Sequence, residues 1–294
     1  MTITSPHAET ARNALARLKR LAGESSDEWK YIQEKNNVKL YHKSEGDSPF
    51  VIVRGDTLLK GHEFTAAQVA SVATLPGCRA IWDEKFDTSD IKKMYNKYES
   101  LFWSKVKTPW PISPRDMSAT SLREMSDDEC YVVMTSVEDE AIPPVSNCVR
   151  SNLLISGWKI IKTEAGIAIT YITQIDLAGS IPTAFMKNVQ QQVALCAGTV
   201  VQYITKYGFP PLTKECSAEF KREEFEHAER EYSANLDGSG ECQWLVSSKM
   251  FSKVKVHIMG SDHATFEIST DDKGNKIVDV KGIDGPTTVK ISNA

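Results

Sequence analysis

Two short stretches carry the residue types that could do chemistry. In Cys78-Arg-Ala-Ile-Trp-Asp83 an arginine stands inside an apolar run. Arg79 either pairs at the surface with Asp83 or Glu84, or it faces a cavity. An unpaired charge there costs several kcal/mol and must find a carboxylate or a phosphate. The planar fork of a guanidinium suits a phosphate. The second stretch, Lys107-Thr-Pro-Trp-Pro-Ile-Ser-Pro-Arg-Asp116, is a loop stiffened by Pro109, Pro111 and Pro114, with Trp110 at its tip. The indole either tucks back onto the body or meets a membrane at the headgroup level. Lys105 and Lys107 would favour anionic lipid by about 1 kcal/mol each.

Other chemistry has no visible constellation. GxSxG, HExxH, P-loop and GxGxxG patterns are absent, and the six histidines have no metal-ligand spacing. No cofactor or metal is expected, and an enzyme would need a titratable pair that the sequence does not display. With 35 basic and 39 acidic side chains and a net charge of −4, no basic excess exists to drive nucleic-acid binding. The N-terminus lacks the apolar core of a secretory signal, and nowhere do twenty apolar residues run together. The six scattered cysteines read as reduced thiols. A cytoplasmic protein, peripheral at membranes and monomeric, is the expectation.

The elements that must position Arg79 and Trp110 are strands. Val38–Lys43 alternates, and Phe50–Gly55 follows a Gly-Asp-Ser-Pro turn. Strand candidates then run at about 88–95, 98–106, 115–124, 131–137, 148–155 and 167–176. Their short connections imply antiparallel neighbours. Residues 8–22 and 65–74 have helical apolar faces. A longer helix is expected to open at Pro182, with Phe185, Val189, Val193, Ala197, Val200 and Ile204 recurring every three or four residues. At roughly 25 residues it would span roughly 37 Å. It is either a core helix on a sheet or a lid over a cavity in that sheet. The densely charged run 217–232 reads as an exposed helix, and short strands follow to the C-terminus. The expected order is α+β, divided as an N-terminal helix (1–26), a main domain (27–211) and a helix with a small β extension (212–294).

The succession CRAIWD, PWPISPRD, Val149-Arg150 and DLAGSIP resembles the START lipid-transfer family over residues 27–207, nearest its phosphatidylcholine transfer protein subgroup. The resemblance implies the helix-grip fold: a curved antiparallel sheet closed by the long C-terminal helix around a lipid tunnel, here with a small C-terminal β appendage. It implies non-enzymatic binding and transfer of one phospholipid, with Arg79 on the phosphate. Trp103 matches one wall of the subgroup's aromatic choline cage. The other two walls fall at Met117 and Leu154, and a cage with one aromatic face is weak, so phosphatidylethanolamine or another phospholipid fits as well. Met186, Val189, Val193 and Val200 would line the tunnel, and Trp110 and Ile112 would touch the membrane. The acid–arginine pair of the family's sterol carriers falls near Phe102 and Ser121, which cannot form it. A sterol or other neutral-lipid carrier, or a lipid-sensing module whose appendage binds a protein, are the alternatives.

Overall fold

The computed structural model describes residues 4–108, 110–179, 181 and 192–294. Its first half is one sheet of ten strands, antiparallel in the order β1-β2-β3-β10-β9-β7-β6-β5-β4, with the two-residue β8 paired in parallel to β6. These strands are β1 (Lys30–Lys35), β2 (Val38–Lys43), β3 (Ile52–Lys60), β4 (Phe86–Asn96), β5 (Glu99–Val106), β6 (Arg115–Met125), β7 (Glu129–Ser136), β8 (Val149–Arg150), β9 (Asn152–Thr163) and β10 (Gly166–Asp176). Helix α1 (Ala8–Gly23) covers one face. Its buried Leu15, Leu18 and Leu21 meet Ile52, Val133, Ile155 and Ile172, each leucine contributing about 2 kcal/mol. Helices α2 (Ala66–Thr74) and α3 (Pro76–Trp82) cover the other face.

The caps explain where α2 and α3 begin. Thr65 Oγ1 accepts from the Gln68 amide, and Gln68 Oε1 accepts from the Thr65 amide, a reciprocal capping box. Pro76 opens α3 where its missing N–H is no loss. Trp82 closes it, donating Nε1–H to the Val72 carbonyl at 2.9 Å and meeting Trp158 edge-on at 6.1 Å.

The expected α+β helix-grip architecture, with a long helix closing the sheet around a tunnel beside a small β appendage, is corrected. Antiparallel sheet dominates, at 50% strand against 18% helix. Among the described residues the C-terminal helix covers only 192–207, sixteen residues, and it is bent at Leu195. The regular part, α4, is Cys196–Tyr207. Pro182, Phe185, Met186 and Val189 lie outside the described residues. The described part of this helix, with the turn leading into it, packs closely on the sheet. A Cβ on Gly198 would sit 2.8 Å from Val38 Cγ2, and one on Gly55 would strike the Ala194 carbonyl. Glycine is required at both places because helix and sheet leave no room between them.

The C-terminal part is no small appendage. It holds eight strands in two four-stranded sheets, ordered β11-β14-β17-β16 and β12-β13-β18-β15. The strands are β11 (Leu212–Cys216), β12 (Glu219–Glu226), β13 (Glu231–Asp237), β14 (Ser239–Val246), β15 (Val254–Met259), β16 (Thr265–Thr270), β17 (Lys276–Asp284) and β18 (Thr287–Asn293). The charged run expected as a helix is the β12–β13 hairpin.

This second half is docked on α3 and α4. A Cβ on Gly77 would collide with the Phe225 carbonyl, so α3 lies backbone against backbone on β12. Near α4, the Tyr203 hydroxyl lies 2.6 Å from His227 Nδ1, and the Tyr207 ring meets the same imidazole at 4.8 Å. Burial, then the cations Arg230 and Lys206, push the His227 pKa from 6.5 down to about 4. The unfolded chain takes up this proton near pH 6.5 and the folded one only near pH 4. The stability tied to neutral His227 is therefore complete above pH 6.5 and is lost as pH falls toward 4. Discounted for partial exposure, the expected loss is about 1 kcal/mol. Urea midpoints across this range should show it, and His227→Gln should flatten that part of the profile.

Candidate functional site

The site begins with α3. Trp82 anchors the helix to the inner face of the sheet, and Arg79, one turn earlier, emerges half-buried beside it. Arg79 Nε donates to Asp83 Oδ2 at 3.0 Å, and its guanidinium stands 5.0 Å from the centre of the Phe86 ring. Arg79 makes the local ion pair and also borders a cavity. That cavity, about 50 Å³, lies between Thr74, Pro76 and Arg79 on the helical side and strands β4–β7 on the other. Phe86, Ile91, Phe102, Val132 and Met134 supply its apolar wall.

Hydroxyls supply the rest. Ser89, Ser100, Ser104 and Ser121 all face it. Ser100 and Ser121 satisfy each other at 2.9 Å. Ser89 Oγ is buried with no hydrogen-bond partner among the described residues. Leaving a buried hydroxyl unpaired costs about 1–3 kcal/mol, so this oxygen can reward a ligand able to bond it. Ser89, Ser100 and Ser104 were not singled out by sequence reasoning, and Ser121 entered only as a place where the sterol carriers' acid–arginine pair cannot form. The available signal was the spacing of Ser100 and Ser104 about Phe102, which places all three on one face of β5.

A second cavity of about 110 Å³ lies between the two halves of the molecule. Thr74 and Arg123 border both. Arg123 Nη1 reaches Glu223 Oε1 of β12 at 3.4 Å, so an ion pair across the two halves stands between the cavities.

The structure does not bring Trp103 to Arg79. Phe102 and Ser104 face the cavity, so Trp103 between them points to the opposite face. There it packs against the Tyr95–Leu101–Ile142 cluster and donates to Asp116 Oδ2 at 2.9 Å. The position expected to wall a headgroup cage therefore serves the outer surface. Asp116 is almost fully buried and also accepts from Arg150 Nε and Nη2 at 3.1 and 2.9 Å. That bond explains why the Val149-Arg150 pair follows the PRD motif: β8 runs parallel to β6 and delivers Arg150 to Asp116.

Met117 is buried on the cavity's face of β6, opposite Ser104, but does not border the cavity among the described residues. Leu154 is half-buried at the point where the β9–β10 register shifts. Val193 is half-buried against the main core, and Val200 is fully buried within it, so neither borders a void described here. Met186 and Val189 cannot be placed, being outside the described residues.

The proline-rich loop is fixed from below and open above. Arg115 is buried, and its guanidinium donates to the carbonyls of Ser113, Leu177 and Ala178 at 2.6–3.1 Å. Burial lowers its pKa. This arginine ties the loop to the Asp176–Gly179 turn. Trp110 does not tuck back: it is 93% exposed. Ile112 is half-buried, its carbonyl accepting from Thr108 Oγ1 at 2.7 Å. Lys105 is engaged by Asp87 at 2.9 Å, while Lys107 is exposed.

Residues 9–202 match the family model described as the START domain. An uncharacterized protein of Pseudomonas aeruginosa is 24% identical over 164 residues, 54% of this chain and 77% of its own. Among solved structures, human StAR-related lipid transfer protein 5 superposes with a TM-score of 0.60 at 18% identity, covering 68% of this chain and 99% of its own. Human STARD10 gives 0.58 at 18% identity, covering 70% and 82%. These two share the fold. The match to the family model ends at residue 202, before the two C-terminal sheets begin. Since it spans well over half of the sequence, the chain belongs to the START domain family.

Proposed function

We propose that this protein binds one lipid and carries it between membranes without chemical change, a phospholipid being the favoured ligand. The observation that carries the reading is Arg79 at the border of a cavity with an apolar wall. A phosphate at the guanidinium and acyl chains against Phe86, Phe102, Val132 and Met134 use both chemistries of that cavity. Membership of a family whose structural neighbours include a named lipid transfer protein supports the same reading.

The ligand-free cavity of about 50 Å³ is small beside the roughly 300–1,000 Å³ of ordinary ligand pockets. Loading therefore requires α2 and α3 to part from β4–β7. The opening exposes apolar surface, which favours doing so at a membrane. A diacyl lipid has about 30 methylenes at about 0.8 kcal/mol each, so its passage through water is slow and a sheltered route is the whole service of a carrier.

Trp110, with Ile112 and Lys107 close to it in the same loop, is the membrane contact. Burying an indole is worth about 1.5 kcal/mol or more. Trp110→Ala is accordingly expected to weaken vesicle binding about tenfold, read by co-sedimentation, while the affinity for a detergent-dispersed lipid stays unchanged. Loss of both together would place Trp110 at the ligand instead.

A second reading rests on Ser89. Its unpartnered Oγ, with Ser100 and Ser121 nearby, suits a neutral lipid bearing one hydroxyl or carbonyl. Transfer from donor vesicles to acceptor vesicles, with pyrene-labelled phosphatidylcholine, phosphatidylethanolamine and a fluorescent sterol in parallel, separates the two. Acceleration of a phospholipid supports the first reading. Acceleration of the sterol alone supports the second, and acceleration of none overturns both.

A further inference from the structure

Outside the START region the two C-terminal sheets contain one arrangement that the lipid reading does not use. Cys216 on β11 and Cys242 on β14 are direct partners in the antiparallel register. The next pair outward, Ser217 and Glu241, is joined by the Ser217 N–H donating to the Glu241 carbonyl at 2.9 Å. Pairs alternate along an antiparallel ladder, so Cys216 and Cys242 occupy a non-hydrogen-bonded position. There the Cα atoms stand about 4.5 Å apart and the side chains lean together on one face. That separation falls inside the range a disulfide spans, about 4.4–6.8 Å. Both cysteines are free thiols here.

The two thiols are unequal, as a reactive pair requires. Cys242 is buried and Cys216 partly exposed. The neighbouring Cys242 thiol, aided by the Lys97 ammonium, lowers the Cys216 pKa despite burial. Burial and the Cys216 sulfur push the Cys242 thiol far up. Cys216 is thus the sulfur that can be reached, and Cys242 is the one held behind it. Two other cysteines are partly exposed, Cys148 and Cys196. Cys148 precedes β8 and Cys196 opens α4, so neither stands in a strand ladder.

We infer that Cys216 and Cys242 form a redox-active dithiol site that reacts with an oxidised small-molecule disulfide of the glutathione class. The Cys216 thiolate attacks one sulfur of the disulfide, forming a mixed disulfide and releasing one thiolate, which takes up the proton that Cys216 lost on ionising. Cys242 then attacks the Cys216 sulfur, its proton passing to the second departing thiolate. The net change is two protein thiols oxidised to one disulfide and one small disulfide reduced to two thiols. The new bond ties β11, which follows directly on α4 and Pro210-Pro211, to the centre of its sheet. Oxidation therefore fixes the strand that joins the two halves.

The test uses the reduced full-length protein, incubated with glutathione disulfide, quenched with N-ethylmaleimide and analysed by intact mass and peptide mapping. The expected product lacks two hydrogens, carries no glutathione and yields a single cross-linked peptide joining Cys216 to Cys242, reversed by dithiothreitol. Cys242→Ser should instead accumulate a stable glutathione adduct on Cys216. Cys216→Ser should leave Cys242 unmodified. In the wild type, which needs no variant to fold, a persistent adduct, reaction first at Cys148 or Cys196, or recovery of all six thiols would overturn the site.

Discussion

Arg79→Ala is expected to lower phospholipid transfer between vesicles about 10- to 100-fold, because a hydrogen bond to a charged group is worth about 1.5–3 kcal/mol and each 1.4 kcal/mol is a factor of ten. Stability should barely change. The Arg79–Asp83 pair is partly exposed at both ends, and such pairs contribute about 0–1 kcal/mol. Arg79→Lys should recover part of the transfer, since it restores the charge without the fork. Binding of a fluorescent sterol should be spared in both variants. If phospholipid transfer and sterol binding fell equally, the arginine would be supporting the cavity and not reading a phosphate.

Gly77→Ala is expected to cost about 2–3 kcal/mol, the largest stability loss from a single methyl group in this account. The added carbon would overlap the Phe225 carbonyl, and that atom is strand backbone that cannot rotate away. Overpacking of this kind costs typically about 1–3 kcal/mol. Either α3 shifts or the C-terminal sheets separate from it. Because α3 also carries Arg79, the variant should lose lipid transfer as well as stability. Urea unfolding and limited proteolysis of the segment after Gly208 read the two effects. A Gly77→Ala protein with a wild-type urea midpoint would show that the two halves do not meet at this contact.

Much of the first half is legible in the sequence because its strands alternate cleanly or its helices repeat cleanly. The helical face at residues 8–22 became α1, and Val38–Lys43 became β2 unchanged. The arginine of CRAIWD stood out because a charge inside an apolar run needs an explanation. The run 217–232 misled for a definable reason. Phe220 and Phe225 are five residues apart, so a regular strand would send them to opposite faces. The register shift between Phe220 and Arg222 turns both inward. A dense Glu-Lys-Arg composition favours a helix on propensity, and pairing with β13 overrides it. Trp103 stands on the face away from Arg79 by parity: neighbouring strand residues face opposite ways, and Phe102 and Ser104 take the cavity face, a choice of face that the alternation alone does not encode. Ala194 against Gly55, and Arg123 against Glu223, depend on contacts between distant segments, which spacing does not encode.

The central claim, that the cavity beside Arg79 exists to hold a lipid, is tested most directly by native mass spectrometry of the protein as purified from cells, followed by extraction and identification of whatever is bound. The account predicts a single adduct of lipid mass that yields a phosphate-bearing headgroup and is diminished in Arg79→Ala. A uniformly ligand-free mass across preparations, persisting after incubation with phospholipid vesicles, would contradict it.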